Sequence, residues 1–403
     1  MESILGKIKT EYALYTKEVL AEIGHQKKSI TIGIPKETDY QEKRTPLTPN
    51  SVAALVNYGC RITLEKGAGE YAHFGDEEYL AAGADIVYSK EEVFKSSVIL
   101  KSAPMNAAEI SLLHNNQIVI SPILLPHQTK NMFKCMSDKR VTAIAFEYVK
   151  GDYNSFPFMR SMSEIAGHYA ILTAAKYLSN EYGPGILLGG ISGQPPAKVL
   201  ILGAGTVGET AAKAALSLGA SVQVFDDNIY RLSRLQKNIG QRIYTSVFDP
   251  LNLAKNVSRS HVIIGALKAV NGRTPCVVTE DMVRSMKKGA VIIDVAIDQG
   301  GCLETSRVTS HDHPVYTQHG VVHYCVPNIA SNVSRTASYS LSNILTPILK
   351  NAVNAGGIEQ LLKSDAGMRH GAYLYKGAVT KDFIAQKFDM KYMDLELLLS
   401  ADF

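Results

Sequence analysis

The chain has 403 residues, 46% of them hydrophobic, which is enough for two substantial cores. Its formal net charge of +4 comes from basic residues spread among acidic ones, which excludes the basic footprint of a nucleic-acid binder. No segment has the continuous apolar length of a membrane span, and no basic, apolar and small-residue leader is visible, so a cytoplasmic protein without membrane insertion is expected.

Residues 1–26 precede the first strand. Within them "YALYTKEVLAEIG" predicts an amphipathic helix ending at Gly24, whose apolar stripe packs either on this chain or on another subunit. From "SITIGIPKE" onward, β-branched runs alternate with helical stretches. Strands are expected at 30–34, "RITLE", "SSVILK", "QIVIS" and "VTAIAFEYV", with helices after "TPN" and through "EEYLAAG". These βα units form a first domain over residues 27–160.

A long helix follows from Ser163 to Leu178, with Ser163 capping its first turn and the helix bridging two domains. After the loop-forming "GPGILLGGISGQPPAK", a second βαβ series begins at Lys198, with strands at "KVLILG", "SVQVFD", "HVIIGA", "GAVIIDVA" and "HGVVHYC". Residues 161–331 make up this second domain, and helical patterns return over 332–403. The five cysteines, Cys60, Cys135, Cys276, Cys302 and Cys325, are odd in number and far apart. They suit reduced, buried, small apolar residues better than a disulfide framework, and no metal site is expected.

The most informative stretch is "KVLILGAGTVGETAAKAALSLGASVQVFDD". An apolar strand leads into Gly203, Gly205 and Gly208 at G-x-G-x-x-G spacing, with Val207 inside the loop, and an alanine-rich helix follows. Gly203 permits a tight turn, Gly205 leaves room for a pyrophosphate, and Gly208 lets helix and sheet close together. The helix N-terminus offers free N–H groups to the anion. Asp226 ends the next strand, where a carboxylate accepts both ribose hydroxyls of NAD and repels the 2′-phosphate of NADP, a repulsion that Asp227 reinforces. NAD is therefore the expected cofactor.

Ligands of α/β sheets collect beyond the carboxyl ends of strands. Asp298 follows the run "AVIIDVAI", Asn328 follows "VVHYCV", and Asp294 inside the first run suits a structural acceptor. In the first domain Arg44 lies in "PKETDYQEKRTPLTP", and its guanidinium fork suits a substrate carboxylate. Lys101 ends "SSVILK", where an ammonium would polarise a carbonyl oxygen. Each of these two also suits a surface cation.

Several long motifs in order, "IGIPKE" with "KRTPLTP", "EKGAG" with "EEYLAAGADIV", "MSEIAG", "LLGG", the glycine loop, "DVAIDQGGCLETS" and "HYCVPN", resemble the family of alanine dehydrogenases and transhydrogenase NAD(H)-binding subunits. The alanine dehydrogenase branch is the nearer. The resemblance runs from about residue 30 and implies an α/β fold of two Rossmann-like domains. The nucleotide domain is then inserted into a split substrate domain, with 332–403 as its second part, in a homo-oligomer that is commonly a hexamer. It implies reversible oxidative deamination of L-alanine to pyruvate and ammonium by hydride transfer to NAD. On this resemblance Arg44 anchors the substrate carboxylate and Lys101 the keto oxygen. Asp298 supports proton transfer and the nicotinamide side, Ser163 contacts the cofactor, Asp226 binds its adenosine ribose, and Asn328 lies in the nicotinamide region.

One departure bears on activity. The family's strand leads into an active-site histidine, and the same register here puts Leu124 of "QIVISPILLPHQ" at that place. Pro126 and Gln128 are more like the transhydrogenase branch. Three readings are open: His127 acts as the replacement base, since an imidazole exchanges protons near neutral pH; His168 does so from the long helix; or the chain is a transhydrogenase-like or regulatory NAD(H)-binding protein, or works on a different 2-oxo or 2-amino acid.

Overall fold

The computed structural model describes residues 30–39, 41–269 and 273–401. The helix expected within residues 1–26 lies outside them.

The first sheet opens with six parallel strands: β1 (Thr31–Ile34), β2 (Arg61–Glu65), β3 (Asp85–Val87), β4 (Val98–Leu100), β5 (Ile118–Ser121) and β6 (Thr142–Ala145). Strands β4 and β6 are buried at every position, as their unbroken apolar runs require in a sheet covered on both faces. The second sheet comprises β7 (Lys198–Leu202), β8 (Ser221–Phe225), β9 (Tyr244–Ser246), β10 (Val262–Gly265), β11 (Val291–Asp294), β12 (Val315–Gln318) and β13 (Val321–Tyr324), in the order β12-β13-β11-β10-β7-β8-β9. All its pairings are parallel except β12 against β13.

The chain then returns to the first sheet. Strand β14 (Ala372–Tyr375) adds antiparallel to β6 and β15 (Ala378–Val379) antiparallel to β14, giving the order β15-β14-β6-β5-β4-β1-β2-β3. The first core accordingly mixes Leu47, Ile62 and Leu100 with Leu341, Leu349 and Leu361 from the C-terminal part. The α/β expectation of a nucleotide domain inserted into a split domain is met, with one correction: the tail is not all helical. Its strand "AYLY" is short and fully buried, and so short an apolar run carries no periodicity to separate strand from helix.

The bridging helix is Pro157–Leu178, so Ser163 lies in its interior and does not cap it. Proline suits a first helical turn because its missing N–H has no intrahelical partner to lose, and the helix starts there. Gly167 brings this helix against the helix of the glycine loop, Thr206–Ser217; a Cβ on Gly167 would lie 2.6 Å from the Val207 carbonyl oxygen.

The C-terminal return helix, Ser334–Ala355, carries buried hydroxyls with a specific task. Ser338 and Ser342, one turn apart, accept the N–H groups of Thr45 at 2.9 Å and Thr48 at 3.0 Å, while Ser331 just before the helix accepts that of Lys43 at 2.7 Å. The segment carrying Arg44 has no strand partner, and these serines supply the acceptors its buried amides need.

Candidate active site between the two domains

Among the parallel strands of each sheet the order reverses once, between β1 and β4 in the first and between β7 and β10 in the second. The polar residues singled out from sequence follow these reversals. Arg44 lies beyond β1, Lys101 directly beyond β4, and the glycine loop directly beyond β7.

The glycine loop fits a dinucleotide. Gly203 has φ +112°, and a Cβ there would sit 2.5 Å from the Ala266 carbonyl oxygen. A Cβ on Gly208 would fall 1.9 Å from the Gly203 carbonyl oxygen, so only glycine allows the helix to start this close. A Cβ on Gly205 would meet no atom within 4 Å, which is the open space a pyrophosphate needs before the first turn of a 12-residue helix. Asp226 is buried at the end of β8 and accepts the N–H of Ala204 at 2.7 Å and of Asn228 at 2.8 Å, one on each oxygen. Each oxygen keeps a second acceptor site for a ribose hydroxyl. Ser163 lies one turn before Gly167, on the face that meets Val207.

In the substrate domain Arg44 is held by Glu42 in a fork: Nε donates to Oε1 at 2.7 Å and Nη2 to Oε2 at 2.5 Å. Burial alone would lower the arginine; Glu42 outweighs it and holds the guanidinium above its ordinary value. Burial likewise pushes Glu42 up, but Arg44 brings its carboxyl below the usual range. Two of the five guanidinium donors are thus committed, and Nη1 faces only the weak acceptor Sδ of Met162 at 3.1 Å. The end-on edge of Arg44 is left for a carboxylate.

From the other domain, Asp298 keeps solvent-exposed surface although protein surrounds its carboxyl on most sides. That desolvation raises it above the ordinary aspartate value, against the Asn328 N–H, the Arg44 guanidinium and the His127 imidazole, all of which favour the ionised form. Asn328, in left-handed backbone at φ +52°, donates its N–H to Asp298 Oδ1 at 3.0 Å and its Nδ2–H to Glu42 Oε2 at 3.0 Å. Arg44, Asn328, Asp298 and His127 therefore belong to one electrostatic site.

Lys101 is linked to them through Glu37, whose carboxylate acts on Arg44 as well as on Lys101. It is only 2% exposed, and its Nζ donates to Glu37 and, at 3.0 Å, to Glu109, which also takes Lys90 at 2.9 Å. Burial would lower its ammonium, but Glu37 and Glu109 hold it above the ordinary value. At the place read from sequence as polarising a keto oxygen, two of the three ammonium donors are held in an ion-pair centre that ties the end of β1 to that of β4, with Ser102 and Ala103 donating their N–H groups to Glu37 at 2.7 and 3.1 Å. Asp294 is structural as expected, buried and accepting Ser306 Oγ at 2.6 Å and the Cys302 N–H at 2.9 Å.

His127 is exposed at the end of a short turn, and His168 is exposed on the bridging helix beside Gly167. All five cysteines are free thiols, but Cys276 is exposed and Cys135 half-buried; Cys276 lies in a connection outside the sheets, where no core needs it. No helix among the described residues is long and apolar enough to cross a membrane.

Glu42 and Glu147 escaped the reading of the sequence. Glu42 carries a signal in retrospect, a carboxylate two residues before the only arginine of its loop; Glu147 shows only as a lone charge in "AIAFEYV".

Two Rossmann-like sheets joined through a polar bridge from Asn328 to Glu42, one bearing a dinucleotide loop and the other an arginine, define the class of two-domain, nucleotide-dependent oxidoreductases. The chain belongs to the alanine dehydrogenase/PNT family: its N-terminal domain model matches residues 33–166 and its C-terminal domain model residues 170–382. It is 39% identical over 372 residues to an alanine dehydrogenase of Methanococcus maripaludis, covering 92% of this chain and 99% of that one. Identity to alanine dehydrogenase 2 of Staphylococcus aureus is 38% over 367 residues, covering 91% and 98%. Among solved structures an L-alanine dehydrogenase superposes with a TM-score of 0.83 at 36% identity, covering 89% of this chain and 99% of that chain. The transhydrogenase from Sinorhizobium meliloti superposes with a TM-score of 0.74 at 25% identity, covering 88% and 99%.

Proposed function

We propose that this protein is an NAD-dependent alanine dehydrogenase, interconverting L-alanine with pyruvate and ammonium. The observation that carries the reading is the bridge made by Asn328, which bonds Asp298 on one side and, on the other, the Glu42 carboxylate that grips Arg44. NAD bound on the glycine loop would supply hydride exchange at the substrate carbon. Gly203, Gly205, Val207 and Gly208 hold its pyrophosphate, Asp226 its adenosine ribose, and Ser163 and Asn328 border its nicotinamide half.

The chain's own residues then have defined tasks. The end-on edge of Arg44 takes the substrate carboxylate and fixes the substrate in register with the cofactor. With Lys101 committed to Glu37 and Glu109, the keto oxygen relies on the His127 side of the cleft. The His127 imidazole takes and returns the proton of the amine and of the attacking water, and the Asp298 carboxyl, raised above the ordinary aspartate value by burial, shares that proton. Ammonium-dependent oxidation of NADH with pyruvate tests the reading, with glyoxylate and larger 2-oxo acids as comparisons. Turnover with pyruvate supports it. NADH binding without turnover of any 2-oxo acid sinks it in favour of a transhydrogenase-like or regulatory NAD(H)-binding role.

One observation favours a substrate other than alanine. Leu124 is 37% exposed at the carboxyl end of β5, where the family's histidine belongs, and presents an apolar side chain in its place. Turnover of a larger 2-oxo acid in preference to pyruvate would bear this out. We further propose a cytoplasmic homo-oligomer, a hexamer by analogy with the family, which light scattering tests.

A further inference from the structure

Glu42 has a bonding pattern that exceeds what holding one arginine needs. Its side chain is 1% exposed, and six donors converge on its two oxygens. Oε1 receives the Lys43 N–H at 3.0 Å, the Arg44 N–H at 2.9 Å, Arg44 Nε at 2.7 Å and Ser331 Oγ at 3.2 Å. Oε2 receives Arg44 Nη2 at 2.5 Å and Asn328 Nδ2 at 3.0 Å. The same Asn328 donates its backbone N–H to Asp298 at 3.0 Å. A continuous chain of hydrogen bonds therefore runs from Asp298 through Asn328 and Glu42 to the guanidinium of Arg44, crossing from the nucleotide domain to the substrate domain.

Both Glu42 oxygens are filled by these donors. A shift of Asn328 of even a few tenths of an ångström must stretch its bond to Glu42 or carry the carboxylate with it. Because Glu42 grips Arg44 on two nitrogens, moving the carboxylate turns the guanidinium plane. The left-handed backbone of Asn328 is held where its N–H and its side-chain amide point to different domains.

We infer that Glu42 is a positioning residue that couples cofactor binding in the nucleotide domain to the orientation of Arg44, so that the nucleotide and the substrate carboxylate bind with positive cooperativity. This rests on the NAD reading above. Coupling of this kind is a free energy shared by two sites through a bridging element, and it is reciprocal: the carboxylate ligand tightens the nucleotide by the same factor.

The test is calorimetric and needs no turnover. Oxalate serves as the carboxylate probe, and its affinity is measured with the full chain alone and saturated with NADH; NADH affinity is measured with and without oxalate. In the native protein NADH is expected to tighten oxalate by about fivefold or more, the lower end of ordinary coupling. In Glu42→Gln and in Asn328→Ala the ratio is expected to fall to about one. A purely structural role for Glu42 would weaken both ligands and lower the melting temperature while leaving the ratio intact, and that result overturns the inference. So does a native ratio of one with both ligands bound. Absent pyruvate turnover alongside a retained ratio would sink the alanine dehydrogenase reading and leave the coupling standing.

Discussion

Leu124 donates its backbone N–H to the Glu147 carboxylate at 3.0 Å while holding left-handed backbone, φ +41° and ψ +64°. A branched side chain avoids this region, so the conformation persists only where its surroundings impose it. Here they do: Glu147 also accepts the Ile123 N–H at 2.9 Å, Gln128 Nε2 binds the Ile123 carbonyl at 2.9 Å, and the His127 N–H binds the Leu124 carbonyl at 2.9 Å. The turn that presents His127 is clamped by one carboxylate and one amide. Burial raises Glu147 against three backbone donors, those of Ile123, Leu124 and Glu147 itself.

His127→Ala is therefore expected to lower kcat by about 10²- to 10⁴-fold, the usual weight of a general base. Glu147→Ala should lower it in the same direction by unseating the turn. Because both act through one imidazole, the double variant should be no slower than His127→Ala alone. Fully additive losses in this double-mutant cycle would separate Glu147 from His127.

Gly205→Ala and Gly208→Ala make a contrasting pair. A methyl on Gly205 meets nothing, so the variant should melt with the native protein yet lose NADH affinity by about tenfold or more, about 1.4 kcal/mol or more, as the methyl enters the pyrophosphate space. A methyl on Gly208 collides with the Gly203 carbonyl oxygen and should destabilise the fold by about 1–3 kcal/mol as well. Thermal melts with calorimetric NADH titration read both.

Lys101→Met tests whether this lysine is structural. Removing the cation leaves Glu37 and Glu109 buried beside each other without it, at a cost of about 3–5 kcal/mol. The pH dependence has a definite sign. Burial already raises Glu37 above 4.5, and loss of Lys101 raises it further. A carboxyl raised in the folded state holds its proton more tightly there than in the unfolded chain, so stability falls as pH climbs from the unfolded value through the folded one. The variant should lose less stability at pH 5 than at pH 8 in urea unfolding. An equal loss at both would contradict the pairing.

Arg44→Lys keeps the charge but gives up the fork. A lysine cannot grip Glu42 on two nitrogens and still offer an end-on edge, so KM for the 2-oxo acid should rise by about tenfold or more with a smaller change in kcat. Steady-state kinetics at saturating NADH measures the split; an unchanged KM would remove Arg44 from the substrate carboxylate.

The amino-acid order alone determined most of the two sheets' parallel strands and the glycine loop, because these depend on local periodicity and on glycines placed within six residues of one another, whereas the three-residue strands β3 and β9 are too short to show a period. It also brought Arg44, Asp298 and Asn328 forward as strand-end polar groups. Only the tertiary structure decided what each of them faces. Lys101 was drawn into a buried pair with Glu37, 64 positions earlier in the chain, and Glu42 met Asn328 from 286 positions away. Ser338 and Ser342 turned out to be acceptors for the Arg44 segment nearly 300 residues before them. Such partners are chosen by desolvation, which compels each buried charge and amide to find a counterpart wherever the fold brings one within reach, and sequence spacing carries no record of that distance.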